Sequence, residues 1–229
     1  MSRSRAVTIA GVIAGLLANY WALETLLADR SDPAESWISD LGARTESTGL
    51  LFDLLEVASG LAIVVFAALL LNLLAGRSRE LRLGVWALVA VGACTVIDGA
   101  FPLSCGESLA EPCELRYDAV DLIHGGETFV SIALTIAMFT LFAAGLRSAA
   151  EASLRRLAGW SALAGVLWVA CNVMMGAQYL IDDLGEVKGV FHRGSQVILG
   201  AWLVAVALTA GRLPDPGRDD VPRAGQDRR

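Results

Sequence analysis

The sequence predicts an all-α fold, a polytopic membrane bundle of six transmembrane helices with both termini on the cytoplasmic side. Three observations predict it. Of 229 residues, 55% are hydrophobic and 18% charged, with a mean hydropathy of +0.57, whereas a soluble surface needs about a quarter of its residues charged. Six apolar segments, residues 7–28, 50–75, 83–103, 119–146, 157–181 and 190–211, are each long enough to cross a bilayer, because about 20 helical residues cover its hydrocarbon core. Arginines recur in alternate connections, and the side holding them is cytoplasmic. No segment alternates with period two as a membrane barrel requires, so helices are what satisfies every backbone group.

Segment 7–28 opens the chain as a signal peptide would. It carries Asn19, Tyr20, Trp21 and Glu24 near its end and no small-x-small cleavage site, so it reads as span one. Arg3 and Arg5 precede it; Arg77, Arg79 and Arg82 separate spans two and three; Arg147, Arg155 and Arg156 separate four and five; Arg212, Arg218 and Arg223 follow six. The intervening loops are acidic, with Asp29, Asp32, Glu35, Asp40 and Glu46, then Glu107, Glu111, Glu114 and Asp118, then Asp182, Asp183 and Glu186. Residues 1–211 form one membrane domain, and residues 212–229, almost free of apolar side chains, read as a disordered cytoplasmic tail. The expected location is a bacterial plasma membrane, multi-pass. The expected partners are membrane lipids and not nucleic acid, since the formal net charge is −6; the oligomeric state stays open.

Cys105 and Cys113 lie in the second outer loop, an oxidising side, and read as a disulfide. It would contribute roughly 2–3 kcal/mol on the loop-entropy account. A redox or metal-binding thiol pair lacks both CxxC spacing and a nearby histidine. Cys94 and Cys171 read as small apolar core residues.

The chemically suggestive residues gather at outer helix ends. Trp37-Ile38-Ser39-Asp40-Leu41-Gly42 precedes span two. It reads either as a structured turn alone or as a loop whose Ser39 and Asp40 line a site. Asp53 and Glu56, three apart, share a face of span two and need partners or protons. Asp98 ends span three inside an apolar helix, a functional candidate by default; the alternative is a pairing with Arg116 or Arg193, or the capping of a neighbouring helix. Asp118, Asp121, His124 and Glu127 make a polar stripe on span four that faces the interior or water. Gly125 and Gly126 beside it would let another helix approach closely. His192, Arg193 and Gln196 open span six.

Asp98, His124, His192, Ser39 and Asp40 are the catalytic candidates, and Asp121, Glu127, Arg193 and Gln196 the substrate-binding ones. His124 and His192 with Asp98 could ligate zinc, the one cofactor that these residue types suggest, or act as general acid and base on an ester or phosphoester. There is no HExxH, GxSxG, P-loop or dinucleotide fingerprint.

The six-span layout, Ile38-Ser39-Asp40-Leu41-Gly42, Asp98 closing span three and His124 opening span four together resemble the domain of unknown function 998 family, prokaryotic six-span membrane proteins without an assigned activity. The likeness covers nearly all of residues 5–211 and implies topology more than mechanism. The same loop is similar, more distantly, to that of the damage-regulated autophagy modulator/Sfk group, some of whose members are implicated in lipid handling, although Glu46 is not preceded by that group's usual proline. Membrane hydrolases related to alkaline ceramidase, which hold zinc with Ser, Asp and His, offer an analogy; this chain has six spans and no HxxxH pair.

Three functions therefore stand side by side: a lipid-headgroup binder with a polar, acidic outer-face site, a membrane-embedded hydrolase acting on a lipid-like substrate, and a structural or accessory subunit whose polar residues join helices. A proton-coupled transporter is a weaker fourth, because no inverted repeat or polar relay crosses the membrane.

Overall fold

A computed structural model of the chain describes residues 2–28, 32–74, 76–106, 113, 118–178, 181 and 187–213. Every regular element among the described residues is helical: α1 (Arg3–Leu17), a 3-10 turn (Tyr20–Leu23), α2 (Glu24–Leu27), a second 3-10 turn (Ser39–Gly42), then α3 (Gly49–Leu74), α4 (Arg79–Ala100), α5 (Ala119–Arg147), α6 (Ala152–Ala177) and α7 (Lys188–Ala210). Helices α3 to α7 are long and apolar enough to cross a membrane, and α1 with the Tyr20–Leu27 piece counts as a sixth crossing, bent by 51°. The chain is an integral, all-α membrane protein. The acidic stretches 29–31, 107–112, 114–117 and 182–186, and the expected tail from 214 onward, lie outside the described residues.

The unbroken first span expected over 7–28 is corrected to two pieces. At Asn19 the backbone N–H bonds Leu16 O, a three-residue step, while its side-chain Nδ2 donates to Gly15 O at 3.0 Å. An asparagine that takes a carbonyl in this way competes with the α-helical ladder. Other boundaries move because caps, not hydropathy, decide them. Ser78 Oγ accepts from Leu81 N at 3.1 Å, so α4 begins at Arg79 and includes Arg79 and Arg82. Asp118 likewise accepts from Val120 N and Asp121 N, and so caps α5 rather than belonging to its polar stripe.

The long helices form a ring. Each packs on its neighbour in sequence from α3 to α7, and α1 fills the gap between α7 and α3. In a membrane, packing quality rather than water exclusion holds such neighbours together. At the α3–α4 contact, a Cβ on Gly60 would lie 2.6 Å from Gly92 O, and one on Gly92 would lie 2.9 Å from Gly60 O, so the absence of a side chain at both lets these backbones meet.

One end of the ring carries Arg3, Arg5, Arg77, Arg79, Arg82, Arg147, Arg155 and Arg156, and there Ser4 Oγ donates to Leu213 O at 3.2 Å, joining the two ends of the described chain. Its interior is filled by Phe66, Leu70, Leu88, Phe142, Leu146 and Leu203. Trp202 meets Phe142 and Phe139 edge-on at 4.9 and 5.1 Å, and its indole N–H donates to Ser161 Oγ at 2.9 Å. Just outside the spans, Arg77 Nη1 donates to Glu151 Oε1 at 2.7 Å and holds that carboxyl below its ordinary value. Leu61, Val65, Phe129, Trp160 and Val166 point outward, as a lipid-facing surface allows. The other end of the ring is hollow.

Candidate functional site

At the hollow end, Cys105 and Cys113 form a disulfide with Cα atoms 5.8 Å apart. The first connection is folded around its polar groups. Ser36 Oγ donates to Asp32 O at 2.7 Å, and Asp40 Oδ2 accepts from Trp37 N at 3.0 Å. Ile38 and Leu41 pack with Phe52 and Tyr20 in a small apolar cluster of their own.

A buried ion pair ties this loop to the rest. Arg193 Nε donates to Glu24 Oε1 at 2.6 Å and Nη2 to Glu24 Oε2, a two-pronged fork. Nη1 also reaches Ser36 O at 2.7 Å and Gly189 O at 3.2 Å. With side-chain exposures of 6% and 1%, the pair satisfies the full desolvation condition for a strong coupling. It joins α2, the loop and α7 at one point. Gly189 makes this possible, because a Cβ there would fall 2.6 Å from Ser36 O and 2.8 Å from Ala34 O.

The two histidines are held in opposite senses. His124 Nδ1 lies 3.1 Å from Phe101 O and 2.9 Å from Asp98 Oδ1. Both neighbours only accept, so Nδ1 carries the hydrogen. It is aligned on the carbonyl, and Asp98 Oδ1 stands at ion-pair distance without an aligned donor of its own. His192 Nδ1 instead accepts from Ile38 N at 3.3 Å, which fixes the neutral ring with its hydrogen on Nε2. Trp37 stands edge-on to that ring at 5.6 Å.

Around His124 lies a layer of carboxyl groups. Glu56 from α3 stands beside Asp98 and Tyr20. Glu127 stands beside Cys94 and Ser131, and its Oε1 is buried with no hydrogen-bond partner. Cys94 is buried in the core, as expected, and lies beside Glu127. Asp121 accepts from Ser104 N at 2.9 Å and from Ser104 Oγ at 3.0 Å, pinning the segment after α4.

These groups line a cavity of about 850 Å³ that runs down the inside of the ring. Along α5 its wall extends from Asp121 to Thr135, about 20 Å at the helical rise. Trp168, Ile63 and Leu199 are among its deeper lining. Gly125 and Gly126, expected to admit another helix, instead face open space: a Cβ on either meets nothing within 4 Å, and the same holds for Gly176 on α6. All three glycines line the cavity and are exposed on the surface of the bundle. Lower down, a Cβ on Gly165 of α6 would lie 2.9 Å from Phe139 Cβ of α5. The α5–α6 pair is therefore tight near its middle and open beside the cavity.

A family model described as a protein of unknown function, DUF998, matches residues 9–209. The chain belongs to the DUF998 family. No curated protein and no solved structure matches it. In this DUF998 chain the cavity brings together Ser39, Asp98, Asp121, His124, Glu127, His192 and Gln196 of the residues singled out by sequence. It leaves Asp40 and Arg193 out of the wall: Asp40, fully buried, staples the loop, and Arg193 is committed to Glu24 rather than to Asp98. Arg116, the other partner considered for Asp98, lies outside the described residues. Among the described residues, no group of three or more His, Cys, Asp and Glu side chains is arranged to hold a metal ion. Sequence reasoning missed Glu24 and Tyr20 as parts of these networks, whereas Glu56 was marked as a carboxylate in need of a partner or a proton. Glu24 gave the same signal as Asp98, a lone carboxylate in an apolar segment.

Proposed function

We propose that this DUF998 chain is a multi-pass plasma-membrane protein, cytoplasmic at its arginine end, that binds an amphipathic, lipid-like ligand. The ligand's polar end occupies the layer of Glu56, Asp98, His124 and Glu127, and its chain leaves between α5 and α6. The observation that carries this reading is the cavity itself: a carboxyl and histidine layer at one end of a largely apolar chamber whose side wall is interrupted, at Gly125, Gly126 and Gly176, on the lipid-facing surface. The arginine distribution supports the orientation.

Extraction in mild detergent followed by mass spectrometry of co-purified amphiphiles tests the reading, comparing wild type with Gly126→Leu. The leucine enters open space, so folding is retained while the opening is obstructed. The expected result is one amphiphile per wild-type chain and its loss from the variant. Protein that retains no amphiphile in either form would overturn the proposal.

A membrane-embedded hydrolase is the second reading, and one observation favours it. With Nδ1 carrying the hydrogen beside Asp98, His124 has Nε2 as its basic atom, the arrangement of an oriented general base. Turnover of ester-linked lipids that disappears in His124→Gln, with the fold intact, would support it.

A further inference from the structure

We infer that the head of the ligand is uncharged and hydroxyl-bearing, accepting a hydrogen bond from His192 and donating one to His124; this rests on the amphiphile reading above. Each ring has one nitrogen committed to the backbone. His192 Nδ1 accepts from Ile38 N at 3.3 Å, so that ring keeps its hydrogen on Nε2. His124 Nδ1 directs its hydrogen at Phe101 O, 3.1 Å away, with Asp98 Oδ1 at 2.9 Å, so Nε2 keeps the lone pair. Neither Nε2 has a hydrogen-bond partner among the described residues, yet neither is enclosed, and both rings line the cavity. One ring therefore offers the cavity a donor and the other an acceptor, and the backbone fixes which is which.

Their placement suits a head whose chain leaves between α5 and α6. His124 and His192 each sit about one turn inside the hollow end of their helix. In the ring α6 stands between α5 and α7, and its Gly176 borders the opening, so the two histidines flank the helix beside which the chain passes. The neighbouring polar wall is of the same mixed kind. Gln196, one turn deeper on α7 and half-buried, has an amide without a partner among the described residues. Asn172 on α6 spends Nδ2 on Trp168 O at 2.9 Å and keeps its Oδ1. Both line the cavity. A hydroxyl carries one donor and two lone pairs on a single oxygen, so it matches both rings. An ammonium has no lone pair for His192 Nε2. A phosphate diester or carboxylate has no hydrogen for His124 Nε2, and it would bring a like charge beside Glu56, Asp98 and Glu127. An ether takes from His192 and gives nothing to His124, and fixed polar groups discriminate strongly against an analogue that leaves one of them unpaired.

The test is equilibrium binding of octanol, methyl octyl ether, octylammonium and octyl phosphate to the full chain in phosphatidylcholine nanodiscs, with empty nanodiscs subtracted. Wild type is expected to bind octanol at least about tenfold more tightly than each of the other three, a difference of about 1.4 kcal/mol. Asparagine variants separate the cavity-facing nitrogen from the backbone-facing one. In His192→Asn the amide oxygen can still accept from Ile38 N, and in His124→Asn the amide nitrogen can still donate to Phe101 O, but neither side chain reaches the Nε2 position. His124→Asn should erase the preference for octanol over the ether, and His192→Asn should weaken both alike. Octanol no tighter than the ether or the ammonium in wild type would overturn the hydroxyl assignment and leave the amphiphile reading in place. So would a preference that survives in folded His124→Asn, or undiminished binding by folded His192→Asn; if neither variant folds, the wild-type comparison decides. Displacement of octanol by an equal concentration of glycerol would show recognition without a chain and overturn the amphiphile reading alone. Binding of no probe above empty nanodiscs would overturn both.

Discussion

Arg193 and Glu24 illustrate how much a single pair decides in this chain. Their fork is buried and also holds Ser36 and Gly189, so removing one partner strands a charge away from water. Arg193→Met is expected to lower unfolding stability by about 3–5 kcal/mol. The double variant Glu24→Leu/Arg193→Met should lose markedly less, because no charge is then left alone. Denaturation of both in the same detergent checks this, and equal losses would argue against the pair as the source of the effect. The Arg77–Glu151 pair stands at the opposite extreme, with side chains about one-third exposed. Glu151 is held below its ordinary value of 4.5 by the Arg77 hydrogen bond. Its contribution is therefore present above that value and lost as the pH falls through the lower folded-state value. Solvent screening keeps it under about 1 kcal/mol, so Glu151→Gln should flatten the acid limb of a stability-against-pH curve only slightly and leave neutral-pH stability nearly unchanged.

At the scale of elements, glycines divide into those that close contacts and those that leave openings. Gly60 and Gly92 bring the α3 and α4 backbones together, whereas Gly125, Gly126 and Gly176 face open space. Gly60→Leu is expected to cost at least about 1–3 kcal/mol through overpacking. Gly125→Leu should be neutral or slightly stabilising through helix propensity. Thermal unfolding of the two variants in one detergent separates them, and similar losses from both would contradict the division. This is also where the sequence was least informative. Gly125-Gly126 and Gly60 are alike as letters, and only the relative tilt of α5 and α6, set by contacts such as Gly165 with Phe139, decides which face is bare. The break at Asn19 was equally hard to foresee, because hydropathy averages over 7–28 and does not register one side chain taking a carbonyl. The spans themselves were legible because length and apolarity are local properties. His124 and Asp98 could be marked as candidates by their cost in a membrane. Their pairing, and the commitment of Arg193 to Glu24, depend on the order in which six helices close.

For the whole molecule, the disulfide and the ring are the decisive features. The Cys105–Cys113 bond closes a segment of the α4–α5 connection, and Leu103 and Ser104 just before it touch the cavity and Asp121. Cys105→Ala/Cys113→Ala is expected to lower stability by roughly 2–3 kcal/mol. Comparing the unfolding of that variant with wild type under non-reducing and reducing conditions checks it, since reduction should lower wild type to the level of the variant.

Because α1 closes on α7 and Ser4 touches Leu213, the ring has no privileged first helix. A short linker from residue 213 to residue 2, with new ends opened in the 148–151 connection, would yield a chain that enters the membrane beginning with α6. A shift by two crossings keeps every helix on its original side, so sidedness and neighbours would both survive the reordering. Circular permutation at that connection is thus open to a protein builder. Cutting at an odd number of crossings would invert the new amino terminus and set it against the arginine pattern.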